Sequence, residues 1–376
     1  MKTITFVFLL LISTLSFAGM SLYKADFSQL TGWEKDDQTQ ALVAFQQSCR
    51  EILKRNPATS FIVPTSKWQA ACRVANKINH PDFKTARRFF ETSFKPYFLA
   101  ENNYAGGLFT GYYLPLIHGN LKATKRFPVP VHGLPDDLVK INLGSFDSAM
   151  TGKFRVGQVK KNKLFPYPAR SEIKHTHNVL LWADNPIDVY FAQIQGSSLV
   201  QLPNKKRFLI GYAGGNGHKY TAIGKVLVER GELQKEDVSM QSIRDWLLKH
   251  PNQVNELLNQ NDSYVFFQIL KDNYPLGTQG VPLTPQRSLA VDNRYIPFGA
   301  PIWVKTTIPA YPSDCRVAKG APCNDAPFRK LLIAQDTGGA IKGVVRGDIY
   351  WGTGSKAEFI AGHMNQSGQS WILLPR

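Results

Sequence analysis

Cysteine is scarce in this 376-residue chain. There are four, at positions 49, 72, 315 and 323, and no two stand in a CxxC pair. No suitably spaced histidine accompanies them, so a structural zinc site is not expected. His175 and His177 alternate but have no third ligand nearby. Acidic residues are also few: 28 Asp and Glu against 45 Lys and Arg give a formal net charge of +17. Such a surface attracts polyanions without naming one. No Gly-x-Ser-x-Gly turn, phosphate loop or dinucleotide fingerprint is present, which removes three large enzyme classes. Internal repeats, heptads and low-complexity tracts are absent. Beyond the first residues no apolar run is long enough to cross a bilayer.

What is there reads as a leader followed by a β-rich protein. Lys2, the apolar stretch Ile4 to Leu15 and the small residues of Ser16-Phe17-Ala18 have the plan of a cleaved signal peptide, with the cut after Ala18. No cysteine lies near that point to carry a lipid, the first being Cys49. The reading is therefore a soluble exported protein, with membrane attachment left open. Export leads to an oxidising compartment, where Cys49–Cys72 and Cys315–Cys323 are expected as local disulfides. Four buried thiols are the other reading. Nucleic acid is not an expected partner, because charge alone argues for it and the leader argues against.

Residues 20–100 read as helical. Leu42, Phe45, Cys49, Ile52 and Leu53 keep helical spacing, as do Trp68, Ala71, Cys72 and Ala75. Asp82 is placed to cap a third helix carrying Phe83, Ala86, Phe90 and Phe94. From Leu108 the pattern becomes short runs broken by Gly and Pro. Leu108–Leu116, Val179–Trp182, Val189–Gln195 and Phe208–Ala213 read as strands. Helices are expected over Thr221–Glu229, from Ser239 to near Pro251, and around Val254, Leu257 and Leu258. The last hundred residues read as β-rich, with the clearest runs at Ser288–Val291, Pro301–Lys305, Lys330–Gln335 and Trp371–Leu374.

Chemistry concentrates in Ala334-Gln-Asp-Thr-Gly-Gly-Ala-Ile-Lys-Gly343 and Arg346-Gly-Asp-Ile-Tyr-Trp-Gly-Thr-Gly354. These hold Asp336 and Asp348 beside glycine-rich turns, where backbone can approach a ligand. Tyr350 and Trp351 suggest a sugar-stacking surface. A carboxyl among aromatic and apolar groups is the setting that raises a pKa toward general-acid work. Read from the residues alone, two turn-capping aspartates fit as well.

This stretch resembles the signature of the membrane-bound lytic transglycosylase A family, with its C-terminal domain named for three aspartates. Other pieces match in order: Phe109-Thr-Gly-Tyr-Tyr-Leu-Pro115, Gln193-Ile-Gln-Gly-Ser197, Tyr212-Ala-Gly-Gly-Asn-Gly-His218, and Ser288-Leu-Ala-Val-Asp292 with Ile296-Pro-Phe-Gly299. The resemblance spans about residues 100–376. It implies a mainly β fold with peripheral helices: a double-psi β-barrel, a smaller β-barrel-like inserted domain, and a groove between them. The domain boundaries expected are a leader over 1–18, an N-terminal helical part of the barrel domain over 19–114, the insert over 115–272 and the three-aspartate barrel over 273–376. The resemblance implies cleavage of peptidoglycan glycan strands between N-acetylmuramic acid and N-acetylglucosamine, leaving 1,6-anhydromuramic ends. Asp348 falls on the catalytic aspartate, with Asp336 and Asp292 in support. Thr110, Gln195, Gly196, Ser197, Tyr212 and Asn216 fall in motifs that line the substrate site, though each has an equally good structural reading. No metal or cofactor is implied. Peptidoglycan is the partner expected, cell-wall synthesis proteins are candidates, and the protein is expected to be a periplasmic monomer. A non-catalytic peptidoglycan-binding protein and a water-using hydrolase are the competing readings.

Overall fold

The computed structural model describes residues 14–17, 19–173, 178–272, 274–314 and 325–376. The expected Cys315–Cys323 pair and the His175–His177 pair lie outside the described residues. So does the expected leader, except Thr14–Phe17, a strand antiparallel to Met20–Lys24. Among the described residues no helix is long and apolar enough to cross a membrane.

The chain divides into two compact units. The first comprises Met1–Thr110, Gly277–Tyr350 and Met364–Arg376. Its centre is a closed ring of six strands. In spatial order these are Asn365–Pro375, Pro301–Ile308, Ala326–Asp336, Ser288–Val291, Arg346–Thr353 and Gly107–Leu114, which returns to Asn365–Pro375. Asn365–Pro375 closes the ring because it changes partner along one edge. Residues 365–368 pair with Gly107–Thr110, and residues 371–375 pair with the strand Phe94–Glu101. Ser288–Val291 runs parallel to Ala326–Asp336 and antiparallel to Arg346–Thr353.

Leu331, Leu332, Ile333 and Ala334 are all fully buried, so this strand is covered on both faces and lacks the alternation of a half-exposed strand. The helix Thr39–Ile52 covers one side. Gln335 donates to the Ala44 carbonyl at 2.9 Å and to Ser48 Oγ at 3.0 Å, and accepts from Ser288 Oγ at 2.5 Å. Phe45, Phe90 and Phe94 are fully buried and pack ring against ring, with Phe89 nearly so. Asp82 caps Phe83–Ser93 by accepting from Thr85 N at 2.7 Å. Residues 20–100 are less helical than the periodicity suggests. Phe94 belongs to a strand: its backbone turns extended as the helix ends, while its ring stays in the same core.

A disulfide joins Cys49 to Cys72 across 23 residues, with Cα atoms 5.3 Å apart. Closing a loop of that size stabilises by about 3 kcal/mol through the unfolded chain. The Cys49→Ala/Cys72→Ala double variant is therefore expected to unfold at clearly lower urea. An unchanged midpoint would contradict it.

The second unit comprises Gly111–Leu276 and Trp351–His363. Its barrel has six strands in the order Val265–Ile269, Arg207–Gly215, Ser197–Gln201, Leu116–Asn120, Val179–Ala183 and Val129–His132. A bridge between Gly133 and Phe267 closes it. Ile117, Val131, Leu181, Val200 and Ile210 fill the interior at 0% exposure.

Val189–Gln195 is not a strand but the second half of the helix Pro186–Gln195. Asn185 caps it through Ile187 N at 2.9 Å, Pro186 starts it, and Gly196 ends it at φ 77°. The run looked like a strand because the helix is buried on two sides. Val189 and Ala192 face the barrel, while Ile187, Tyr190 and Phe191 join a helical core with Leu227, Trp246 and Leu257. A helix, Ser355–His363, also interrupts the β-rich C-terminal region.

Candidate active site

The strand Arg346–Thr353 alternates faces. Gly347 and Ile349 are buried toward the core, and Arg346 and Asp348 point the other way with partial exposure. Gly347 must be small, since a Cβ there would lie 2.9 Å from Leu289 and 3.0 Å from Phe109. On the neighbouring strand Phe109 is buried at 1% exposure, which leaves Thr110 on the same side as Asp348. Thr110 Oγ1 donates to Asp348 Oδ1 at 2.7 Å. Arg346 Nη2 donates to Thr110 Oγ1 at 2.9 Å. Arg346 is also anchored by the carbonyls of Gly347 at 2.6 Å and Leu108 at 3.3 Å.

Burial pushes the Asp348 carboxyl up to about 6. The Thr110 hydrogen bond and the Arg346 charge oppose that rise, and the Asp336 charge adds to it. Asp336 is near because the register puts both aspartates opposite Ala290, one on each flanking strand. Two strand spacings separate their backbones by about 10 Å. Asp336 Oδ1 accepts from Thr278 N at 2.9 Å, Thr278 Oγ1 at 2.7 Å and Thr337 N at 2.9 Å.

Asp292 follows the same central strand and differs from Asp348 in kind. Its carboxylate is 1% exposed and takes a two-point contact from Arg294, at 2.9 and 2.5 Å, plus Gly343 N at 2.9 Å. Burial alone would raise it, but the Arg294 and backbone hydrogen bonds prevail and hold it down at about 2. Asp292 is thus a fixed charge that braces the Gly343 turn.

The remaining residues singled out in the sequence belong to the second unit. Gln195, Gly196 and Ser197 form the junction between the helix Pro186–Gln195 and the strand Ser197–Gln201. Gln195 Oε1 accepts from Tyr113 N at 3.0 Å. Ser197 pairs with Gly211, next to Tyr212, whose ring is 58% exposed just before a register shift in its strand. Asn216 is 1% exposed, and its amide is spent on backbone. It donates to the carbonyls of Pro168 at 2.9 Å and Asp262 at 2.8 Å, and accepts from Tyr264 N at 2.9 Å. Tyr350 and Trp351, read as a stacking surface, are only 4% and 7% exposed; their rings are packing residues. Arg346 is the site residue that motif reading passed over. The available signal was its place two residues before Asp348 on one strand, and so on one face.

Two family models match this chain. One is the MltA specific insert domain over residues 108–268, and the other is the 3D domain over residues 287–374. The chain is 32% identical over 278 residues to the membrane-bound lytic murein transglycosylase A of Escherichia coli strain K12, covering 72% of this chain and 67% of that one. A crystal structure of MltA from Neisseria gonorrhoeae superposes with a TM-score of 0.79 at 30% identity, over 96% of this chain and 94% of that one. The structure of E. coli MltA with bound chitohexaose gives a TM-score of 0.64 at 27% identity, over 89% and 90%.

Proposed function

The chain belongs to the membrane-bound lytic murein transglycosylase A family, and from that premise we propose that Asp348 is the group that works as acid and then as base on the glycan strand. The chain is a lytic transglycosylase that cleaves peptidoglycan. The observation that carries the residue assignment is the state of Asp348: a residue of partial exposure, its carboxyl raised to about 6 and, among the described residues, hydrogen-bonded through Oδ1 to Thr110. Arg346 donates into the Thr110 oxygen, so the Thr110 proton is directed at Asp348 Oδ1. Oδ2 then carries the transferable proton.

Protonated Asp348 delivers that proton to the oxygen joining N-acetylmuramic acid to N-acetylglucosamine, and the bond breaks with oxocarbenium character at the muramic C1. The carboxylate next takes the proton from the C6 hydroxyl of the same sugar. That oxygen closes on C1 and gives the 1,6-anhydro end. An intramolecular hydroxyl acts at high effective concentration, so no second carboxylate is needed to activate water. Asp336 supports the acid by keeping negative charge near it, and Asp292 by fixing the Gly343 turn. Gln195, Gly196, Ser197 and Tyr212 form the sugar-holding part of the second unit, with Asn216 acting from behind as a brace; the chitohexaose-bound relative supports a glycan ligand.

We take the ring of the first unit as a double-psi barrel and residues 115–272 as an insert, supported by the parallel pairing of Ser288–Val291 and by the matched insert model. The protein acts in the periplasm after cleavage at Ala18, on peptidoglycan and as a monomer.

Release of anhydromuropeptides should fall as pH rises through about 6, because the acid must hold its proton. Thr110→Val keeps the size and removes the hydrogen bond that favours the carboxylate, so the falling limb should move to higher pH. Arg346→Gln should move it the same way. A limb that stays in place in both variants would sink the arrangement.

A further inference from the structure

Arg170 opens the turn Arg170–Glu172 of the second unit, and its charge is answered in an unusual way. An ion taken out of water is normally met by an opposite charge. Arg244 meets Asp188, and Arg287 meets Asp36. Among the described residues no carboxylate pairs with Arg170. Its hydrogen bonds go to neutral oxygens: Nε donates to the Asn261 carbonyl at 2.9 Å, Nη1 to Gln193 Oε1 at 2.6 Å and Nη2 to the Ser263 carbonyl at 2.6 Å. The guanidinium also lies over the rings of Tyr190 and Tyr264, at 4.7 and 5.1 Å from their centres. Burial holds it below the ordinary arginine range, and the neighbouring tyrosines oppose that shift. This is a poor way to gain stability, because neutral acceptors and ring faces offset only part of the desolvation of the ion. What a guanidinium supplies here is geometry: a rigid planar fork that reaches several acceptors at once.

The acceptors belong to the segments that lead to the sugar-holding residues. Gln193 is 5% exposed and lies on the helix Pro186–Gln195, just before Gly196. Its Nε2 donates to the Val265 carbonyl at 3.3 Å, so both ends of its amide are fixed. Asn261 and Ser263 precede the strand Val265–Ile269, in which Val265 pairs with Gly215 and Phe267 with Tyr212. The backbone of Arg170 joins the same segment: its N donates at 3.1 Å to the Asp262 carbonyl, which Asn216 also uses, at 2.8 Å. The sheet ladder fixes Ser197 opposite Gly211, but the helix that bears Gln195 stands outside that ladder. Arg170 supplies a link between the two.

We propose that Arg170 is a positioning residue for glycan binding: its guanidinium bridges the helix that ends at Gln195 to the strand pair that carries Tyr212, and so sets the spacing of the two sugar-holding segments. The proposal rests on the assignment of Gln195, Gly196, Ser197 and Tyr212 to sugar holding. It is independent of the role given to Asp348.

The test is steady-state turnover of soluble peptidoglycan strands by Arg170→Met, Arg170→Lys and Tyr212→Ala. Arg170→Met should raise KM about tenfold, as the loss of one or two sugar hydrogen bonds would, with kcat unchanged. Arg170→Lys keeps the charge but not the fork and should behave like Arg170→Met. A merely structural role would instead lower the amount of active enzyme and so the apparent kcat, at parental KM. If Arg170→Met does not fold, Gln193→Met, which removes a single arm of the bridge, should still raise KM. Parental KM in Arg170→Met, with a raised KM in Tyr212→Ala, would overturn the proposal and leave the sugar-holding assignment standing. Parental KM in both would overturn that assignment and the proposal with it. Parental KM in Arg170→Lys would overturn the proposal too, because a positive charge without the fork would then suffice.

Discussion

Replacing Asp348 by Asn is expected to cut the release of anhydromuropeptides from sacculi by about 10²–10⁴-fold, the range contributed by a positioned acid–base group. The substitution keeps size and planarity, and Thr110 can still donate to the amide oxygen, so the loss would be one of chemistry. Stability supplies an independent control. A carboxyl held near 6 in the fold, against an ordinary value of 3.8, favours the folded state fully only below 3.8, and that contribution is lost as pH rises through 6. At pH 7 the parent therefore bears the cost of a charged, poorly solvated carboxylate that the Asn variant does not. Asp348→Asn should be at least as stable as the parent there, and its advantage should vanish below about pH 4. A variant that lost activity by unfolding would show the reverse. One that kept parental turnover would remove Asp348 from the mechanism.

The second large effect concerns the strand that holds the aspartates together. Arg287 precedes Ser288–Val291 and makes a two-point pair with Asp36, at 2.8 and 2.7 Å, with the two side chains 6% and 2% exposed. Arg287 also donates to the carbonyls of Leu331 at 2.9 Å and Asp37 at 2.6 Å, and Leu331 N donates to Asp36 at 2.9 Å. The pair ties the N-terminal segment to the two strands on which Ala290 and Asp336 lie. Removing one partner leaves an uncompensated buried charge. Asp36→Ala or Arg287→Ala should each cost about 3–5 kcal/mol. Replacing both by apolar residues of similar volume should recover most of that. Urea midpoints at constant slope would show it. A loss below about 1 kcal/mol in each single variant would mean that the pair is not the anchor described.

Much of the local structure was legible because its signals are local. Ser239 begins the helix Met240–Lys249 with a capping box, and Asp82 caps Phe83–Ser93, as the residue types imply. One failure comes from burial on two sides, which erases periodicity. Val189–Gln195 reads as a strand for that reason, whereas Lys330–Gln335, equally without alternation over Leu331–Ala334, is the strand its residues imply. Ring closure was not legible in the residue pattern, and only the family resemblance implied a barrel. It depends on Asn365–Pro375 exchanging one partner strand for another, and nothing in its own sequence states that. The candidate site behaves likewise. Thr110 and Asp348 are 238 residues apart, and only the ordered motifs linked them. Arg346 lay within a quoted motif, yet its importance depends on Thr110 standing on the adjacent strand. Tyr350 and Trp351 followed Asp348 closely enough to suggest a sugar platform, but packing turned both rings inward.

The measurement that bears most directly on this account is the titration of the Asp348 carboxyl itself. It can be followed by carbon NMR of aspartate-labelled protein and assigned by the signal missing in Asp348→Asn. A midpoint near 6 is expected, well above the ordinary 3.8, with Asp292 remaining charged down to about 2. A midpoint for Asp348 at or below 3.8 would leave no protonated acid at working pH and would contradict its role as the proton donor.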